Sequence, residues 1–228
     1  GYQRISSSGT LLIMDTGDTP PGPFDTQAHL APGSFELSTN IGRLVVNCGW
    51  SRQQPRKFKK SVRNTAAHST LVLNNESAGR IVKDGWLAKT LGDVVTFGVG
   101  PVTVSRKEQD SGTWVEVSHG GYRKKIGLLH KRRVYMSIEG DDVRGEDTLL
   151  VPLGAVPLSN NEKPYDIRFH FHPDVRVSLS QDQKSALLIQ AGKTGWRFRT
   201  DHGPIKIENS LYLGTGSTPR KCQQIVIS

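Results

Sequence analysis

Trp114-Val-Glu-Val-Ser118 and, after a short break, Gly127-Leu-Leu-His-Lys-Arg-Arg-Val-Tyr-Met-Ser-Ile138 decide the fold. In the first, Val115 and Val117 alternate with Trp114, Glu116 and Ser118. In the second, Val134 and Met136 alternate with Arg133, Tyr135 and Ser137. A period of two sets one strand face toward a core and the other toward water. The same signature recurs on both sides. Before it come Leu11–Asp15, Gly33–Leu37, Arg43–Asn47, Ser69–Leu73, Val94–Phe97 and Val102–Ser105. After it come Ser185–Gln190, Trp196–Thr200, Ile205–Glu208 and Gln224–Ile227. Turn formers punctuate the series, as at Thr39–Gly42, and no segment sustains a 3.6-residue period. The pattern predicts an all-β chain, an antiparallel β-sandwich with few or no helices. Thr16–Gln27 and the cation-rich Trp50–Arg63 read as long loops. No repeat or linker divides the chain, so residues 1–228 are expected to form a single domain.

The chain has 228 residues, with 30 Lys and Arg against 21 Asp and Glu, a net charge of +9. That excess favours an anionic partner: acidic polysaccharide, acidic lipid or nucleic acid. The cations concentrate in Trp50–Arg63 and Arg123–Arg133, and the plainer reading of each run is a solvated face. The longest apolar run, Leu149–Leu158, is broken by Pro152 and Pro157 and does not span a bilayer. No signal peptide is visible in the polar opening Gly1–Thr10, and a mature or excised fragment reads the same way. Cys48 and Cys222 suit either one long-range disulfide or two thiols.

Among the histidines, His170 and His172 in Phe-His-Phe-His-Pro share one strand face, a pattern that binds zinc if a third ligand joins them. His29 and His68 each stand where a loop turns into a strand, a frequent place for active residues. Tyr122 lies in His119-Gly-Gly-Tyr122, beside a flexible turn. The sequence carries no phosphate-binding loop, dinucleotide fingerprint or Cys-x-x-Cys pair.

Six blocks are more specific together than apart. They are Gln27-Ala-His-Leu-Ala-Pro-Gly-Ser-Phe-Glu-Leu37, Gly42-Arg-Leu-Val-Val-Asn-Cys-Gly49 and Arg63-Asn-Thr-Ala-Ala-His-Ser-Thr-Leu-Val72. His119-Gly-Gly-Tyr122, Gly127-Leu-Leu-His-Lys-Arg-Arg133 and Asp142-Val-Arg-Gly-Glu-Asp147 follow. In this order they resemble the heparinase II/III family of polysaccharide lyases, over its C-terminal β-sandwich half. The resemblance implies a partner domain, an N-terminal (α/α) toroid absent from this chain, and β-elimination on a uronate-containing acidic glycan. In that chemistry the uronate carboxylate is neutralised, a base removes the C5 proton and an acid protonates the departing glycosidic oxygen. In the family the principal tyrosine and asparagine come from the toroid, so the isolated chain is expected to lack activity. The implied compartment is the periplasm or cell envelope.

By position, the resemblance makes His68 and His29 catalytic candidates and Tyr122 an auxiliary acid. It makes Gln27, Arg63 and His119 substrate-binding candidates. Zinc, where family members hold it, would fall to His29, Asn47 and His68. The chain departs from the pattern in three places: Gln27 replaces a catalytic histidine, Ala31 an aspartate, and Asn47 an aspartate ligand. Gln27 hydrogen-bonds a carboxylate but takes no proton. Arg63 and the Trp50–Lys60 loop are candidates for gripping an anionic sugar chain. Three rival readings stand beside the lyase domain: a non-catalytic acidic-polysaccharide-binding module, a jelly-roll metal enzyme built on His170 and His172, and, last, a nucleic-acid binder resting on charge alone.

Overall fold

The computed structural model describes residues 1–22, 24–155, 163–191 and 195–228. Strands β1 (Tyr2–Ser7), β2 (Thr10–Asp15), β3 (Phe35–Thr39) and β4 (Gly42–Val46) form an antiparallel meander. Short elements follow: α1 (Arg56–Ser61), β5 (Leu71–Leu73), β6 (Arg80–Ile81), α2 (Trp86–Leu91) and β7 (Val95–Phe97). A second meander comprises β8 (Val102–Gln109), β9 (Gly112–His119), β10 (Leu129–Ser137) and β11 (Val143–Leu150), with α3 (Arg123–Ile126) between β9 and β10. The last third supplies β12 (Tyr165–Phe171), β13 (Arg176–Leu179), β14 (Ser185–Ile189), β15 (Gly195–Arg199), β16 (Ile205–Tyr212) and β17 (Arg220–Ile227).

β12 joins the first meander to the end of the chain. It pairs with β4 on one side and β17 on the other, giving the order β1-β2-β3-β4-β12-β17-β16, and β5 pairs with its earlier residues. Against this sheet stand the four-stranded sheet β11-β10-β9-β8 and the three-stranded sheet β13-β14-β15. Leu12, Met14, Phe35 and Phe171 of the large sheet share one core with Val115, Val117, Val134 and Met136 of β9 and β10. Val177, Ala186 and Leu188 extend that core toward Ile205 and Ile225. Each large apolar side chain there contributes about 1.5–3 kcal/mol through burial. A second core, with Leu30, Leu71, Leu73, Ala78, Val99 and Tyr122 among its members, lies beneath the loops that precede β3 and β5.

The antiparallel sandwich is the expected architecture, with differences at its edges. β10 begins at Leu129 rather than Gly127, because Gly127 adopts φ 82° as the C-cap of α3. Trp50–Arg63 is not a plain loop but carries α1, whose six residues are too few to show a helical period. Among the described residues no helix is long and apolar enough to cross a membrane. The later part of Leu149–Leu158 lies outside the described residues. Cys48 and Cys222 are thiols.

Candidate functional site

The loops entering β3 and following α1 bring His29 and His68 together, 39 residues apart in sequence. His29 Nδ1 lies 2.7 Å from His68 Nε2, and His68 Nδ1 lies 2.9 Å from the Asn64 carbonyl oxygen. A carbonyl only accepts, so His68 carries its proton on Nδ1 and presents a lone pair at Nε2. His29 therefore donates from Nδ1, which leaves its Nε2 lone pair unengaged among the described residues. His68 is buried, whereas His29 is half-buried at the edge. Burial, then the neighbouring Arg63 charge, lowers His29 to about 4. Burial and the His29 charge lower His68 to about 3. Both imidazoles are neutral at pH 7, so the relay ends in an unprotonated nitrogen rather than a fixed cation.

Arg63 holds this arrangement from beneath. It is 3% exposed, and its guanidinium donates to three carbonyls: Ala28 at 2.7 Å, Asp93 at 2.6 Å and Asp25 at 2.8 Å. Its own carbonyl accepts from the Leu30 amide at 2.8 Å. The Thr65 hydroxyl donates to the Leu30 carbonyl and accepts from the Ala78 amide. Arg63 thus fixes the chain on both sides of His29, with each of its three nitrogens engaged by a backbone carbonyl. Gln27 is exposed, two residues before His29.

Asn47 bridges instead of converging on the pair. Its Oδ1 accepts from the Ser69 amide at 2.9 Å, and its Nδ2 donates to Glu36 Oε1 at 3.3 Å. Two nitrogens on one tetrahedral zinc sit about 3.3 Å apart with both lone pairs aimed at the metal. Here they are 2.7 Å apart with a proton between them, and the Asn47 oxygen already accepts an amide. As placed, the three residues do not fit a zinc ion. Among the described residues there is no group of three His, Cys, Asp or Glu side chains disposed to hold a metal.

His119 and Tyr122 lie in the interior. Tyr122 is fully buried and its hydroxyl donates to the Leu71 carbonyl at 3.1 Å; burial pushes its ionisation well up. His119 belongs to a buried chain of donors. The Gly121 amide donates to His119 Nδ1 at 3.3 Å, His119 Nε2 to His130 Nδ1 at 3.0 Å, and His130 Nε2 to Asp147 at 2.7 Å. Arg132 grips the same carboxylate through Nε at 2.7 Å and a terminal nitrogen at 2.8 Å. Its other terminal nitrogen crosses the sandwich to the carbonyls of Ser69, at 2.7 Å, and Gly33, at 3.1 Å. Those carbonyls belong to the segments that carry His68 and His29. The Arg132–Asp147 pair, which the sequence reading does not single out, is the buttress behind the site. Its signal is a strand-pattern break: Arg132 occupies an inward position of β10 between His130 and Val134.

His170 and His172 do not form a pair. His170 is buried with Nε2 against the Ala66 carbonyl at 3.1 Å and Nδ1 against the Ser210 hydroxyl at 2.9 Å. His172 packs its ring on Tyr212 and lies 3.4 Å from Asp174. α1 lines an open hollow of about 440 Å³ with Arg56, Lys57, Lys60 and Ser61, and Asp84 and Asn64 complete its wall. Asn64 therefore faces both the hollow and the relay.

A family profile described as "Heparinase II/III-like, C-terminal" matches residues 1–228. The chain is 34% identical over 231 residues to FtsZ-localized protein C of Caulobacter vibrioides (strain NA1000 / CB15N), covering 100% of this chain and 39% of that protein. Its fold is similar to that of heparan sulfate lyase HepC from Pedobacter heparinus, with a TM-score of 0.69 at 14% identity over 99% of this chain and 33% of that one. A heparinase III structure, the BT4657 gene product, gives a TM-score of 0.68 at 12% identity, again over 99% and 33%. The chain thus spans about two fifths of the curated relative and about a third of the lyase structures. At such identities the structural likeness speaks for the fold.

Proposed function

The chain belongs to the heparinase II/III-like C-terminal family, and on that premise we propose that it forms one wall of a cleft that cleaves uronate-containing acidic glycans by β-elimination. The other wall, in this reading, is an (α/α) toroid of the same protein, working in the periplasm or cell envelope. The observation that carries the proposal is the His29–His68–Asn64 relay, which has a free, neutral Nε2 at its His29 end and meets a cationic hollow at Asn64, its other end. A neutral imidazole held by a fixed donor–acceptor chain suits proton transfer, and a proton arriving at Nε2 is stabilised through the His68 lone pair. Gln27 donates a hydrogen bond to the sugar carboxylate and the cations of the hollow offset its charge, which raises the acidity of the C5 proton. In the full-length protein, His29→Ala and His68→Ala are expected to reduce turnover at least a hundredfold, read as absorbance of the unsaturated product, with unfolding midpoints near wild type for His29→Ala. Turnover unchanged in both variants overturns the assignment.

The second reading is a domain that binds acidic glycan without cleaving it, in a protein that co-localises with FtsZ. Gln27 in place of a proton-accepting histidine supports it, as does the relative named for FtsZ localisation, which is far more similar in sequence than the lyases. Glycan binding by the full-length protein with no unsaturated product, together with a fluorescent fusion that follows FtsZ, would establish this reading over the first.

A further inference from the structure

We propose that α1 and the start of α2 form a grip for an anionic carbohydrate chain, with Trp86 as its stacking platform; the ligand class rests on the glycan reading above. α2 is built inside out. It buries Ala88 and turns Trp86, Leu87 and Leu91 outward, with Trp86 77% exposed. An amphipathic surface helix does the reverse, and a cluster of large apolar side chains left open on one short helix marks a contact site. Asp84, two residues before Trp86, accepts a salt bridge from Lys60 of α1 at 2.7 Å and lines the hollow. Trp86 thus stands two residues along the chain from a wall of the hollow.

The rim is cationic beyond its internal pairing. Of its lining cations, Arg56 and Lys60 meet Asp93 and Asp84, whereas Lys57 has no carboxylate partner among the described residues. Ser61 and Asn64 add hydroxyl and amide groups to the hollow. An indole face takes the apolar face of a pyranose, lysines take carboxylates at variable spacing, and small polar groups take hydroxyls. Arg63, the natural candidate by charge, is excluded from the grip because its donors hold backbone carbonyls. The ligand thus meets the lysines of α1 and the indole of α2 rather than the buried guanidinium.

The test is calorimetric binding by the intact protein of hexasaccharides derived from heparosan, alginate and polygalacturonate, with maltohexaose as the neutral control and phosphatidylglycerol vesicles as the competing partner. Wild type is expected to bind at least one uronate hexamer and not the neutral one. Trp86→Ala should weaken that binding about tenfold, the loss of one exposed aromatic anchor. Lys57→Ala should weaken it severalfold and flatten its salt dependence. His29→Ala should leave affinity within twofold while removing turnover. No binding of any uronate hexamer, equal binding by Trp86→Ala, or capture of vesicles alone overturns the grip. Binding that needs Trp86 in a protein without turnover keeps the grip and removes the lyase reading.

Discussion

Two buried guanidiniums, Arg63 and Arg132, hold the site, and Arg132 is the one paired with a buried carboxylate. Arg132 is enclosed with Asp147, and both terminal nitrogens and Nε have acceptors. Removing one partner strands the other charge in the core, which typically costs about 3–5 kcal/mol. Arg132→Met and Asp147→Asn are each expected to lower the unfolding free energy by that order, measured in urea, whereas breaking the exposed pair Arg144–Asp142 should matter far less. A loss below 1 kcal/mol for Asp147→Asn would mean the pair is dispensable. Zinc is a second matter for single residues. With a proton shared between His29 and His68, elemental analysis of the purified protein is expected to find no stoichiometric zinc; a stoichiometric ion lost in both alanine variants would show that the pair opens to receive it. The sequence carries part of this scale. Residue blocks identify His29 and His68, but no spacing rule places side chains 39 positions apart at hydrogen-bond distance. Arg63, His119 and Tyr122 look like surface chemistry on polarity alone, and their burial follows from carbonyl and imidazole partners that only the fold assembles.

Among the elements, the entry into β3 is the tightest point. Gly33 adopts φ 78°, and a Cβ there would stand 3.2 Å from Val117 Cγ1 of β9. Gly33→Ala combines left-handed strain with that contact, and is expected to cost roughly 1–2 kcal/mol and to weaken the His29 segment first. A thermal midpoint within about 1 °C of wild type would show that the loop yields freely. Alternation reveals some of these strands and hides others. β9 reads cleanly because Val115 and Val117 face the core while Glu116 and Ser118 face outward. β8 runs on to Gln109, past its predicted end, because Arg106–Gln109 is polar on both faces and held by ladder pairing with β9. β12 shows only its Phe-His-Phe end, since residues 165–169 are half-buried on both sides between β4, β5 and β17. α1 and α2 stay invisible for a different reason: six residues complete fewer than two turns, and α1 buries none of them.

The whole molecule should respond to acid through its buried imidazoles. Burial lowers His170 to about 4, and burial together with His130 lowers His119 well below its ordinary value. An unfolded chain protonates both near pH 6.5, so below that pH the unfolded state binds more protons. Their stabilisation is complete above about pH 6.5 and falls toward pH 4, by up to about 1.4 kcal/mol per pH unit for each group. Asp147, held low by Arg132 and His130 against a burial penalty, adds its loss only at more acid pH. Urea midpoints at pH 7, 5.5 and 4.5 should therefore decline, and less steeply in His170→Gln; a flat profile would show that these histidines take up protons without unfolding. The reach of Arg132 across the sandwich has one more consequence. Its two carbonyl acceptors lie on the segments of the His29–His68 pair, while its carboxylate partner lies on β11. Loosening either segment alone would uncover an ion pair, so the site has no cheap partial opening. Amide hydrogens on those segments should exchange with solvent only as fast as the whole domain unfolds, making this corner among the slowest-exchanging loops of the protein.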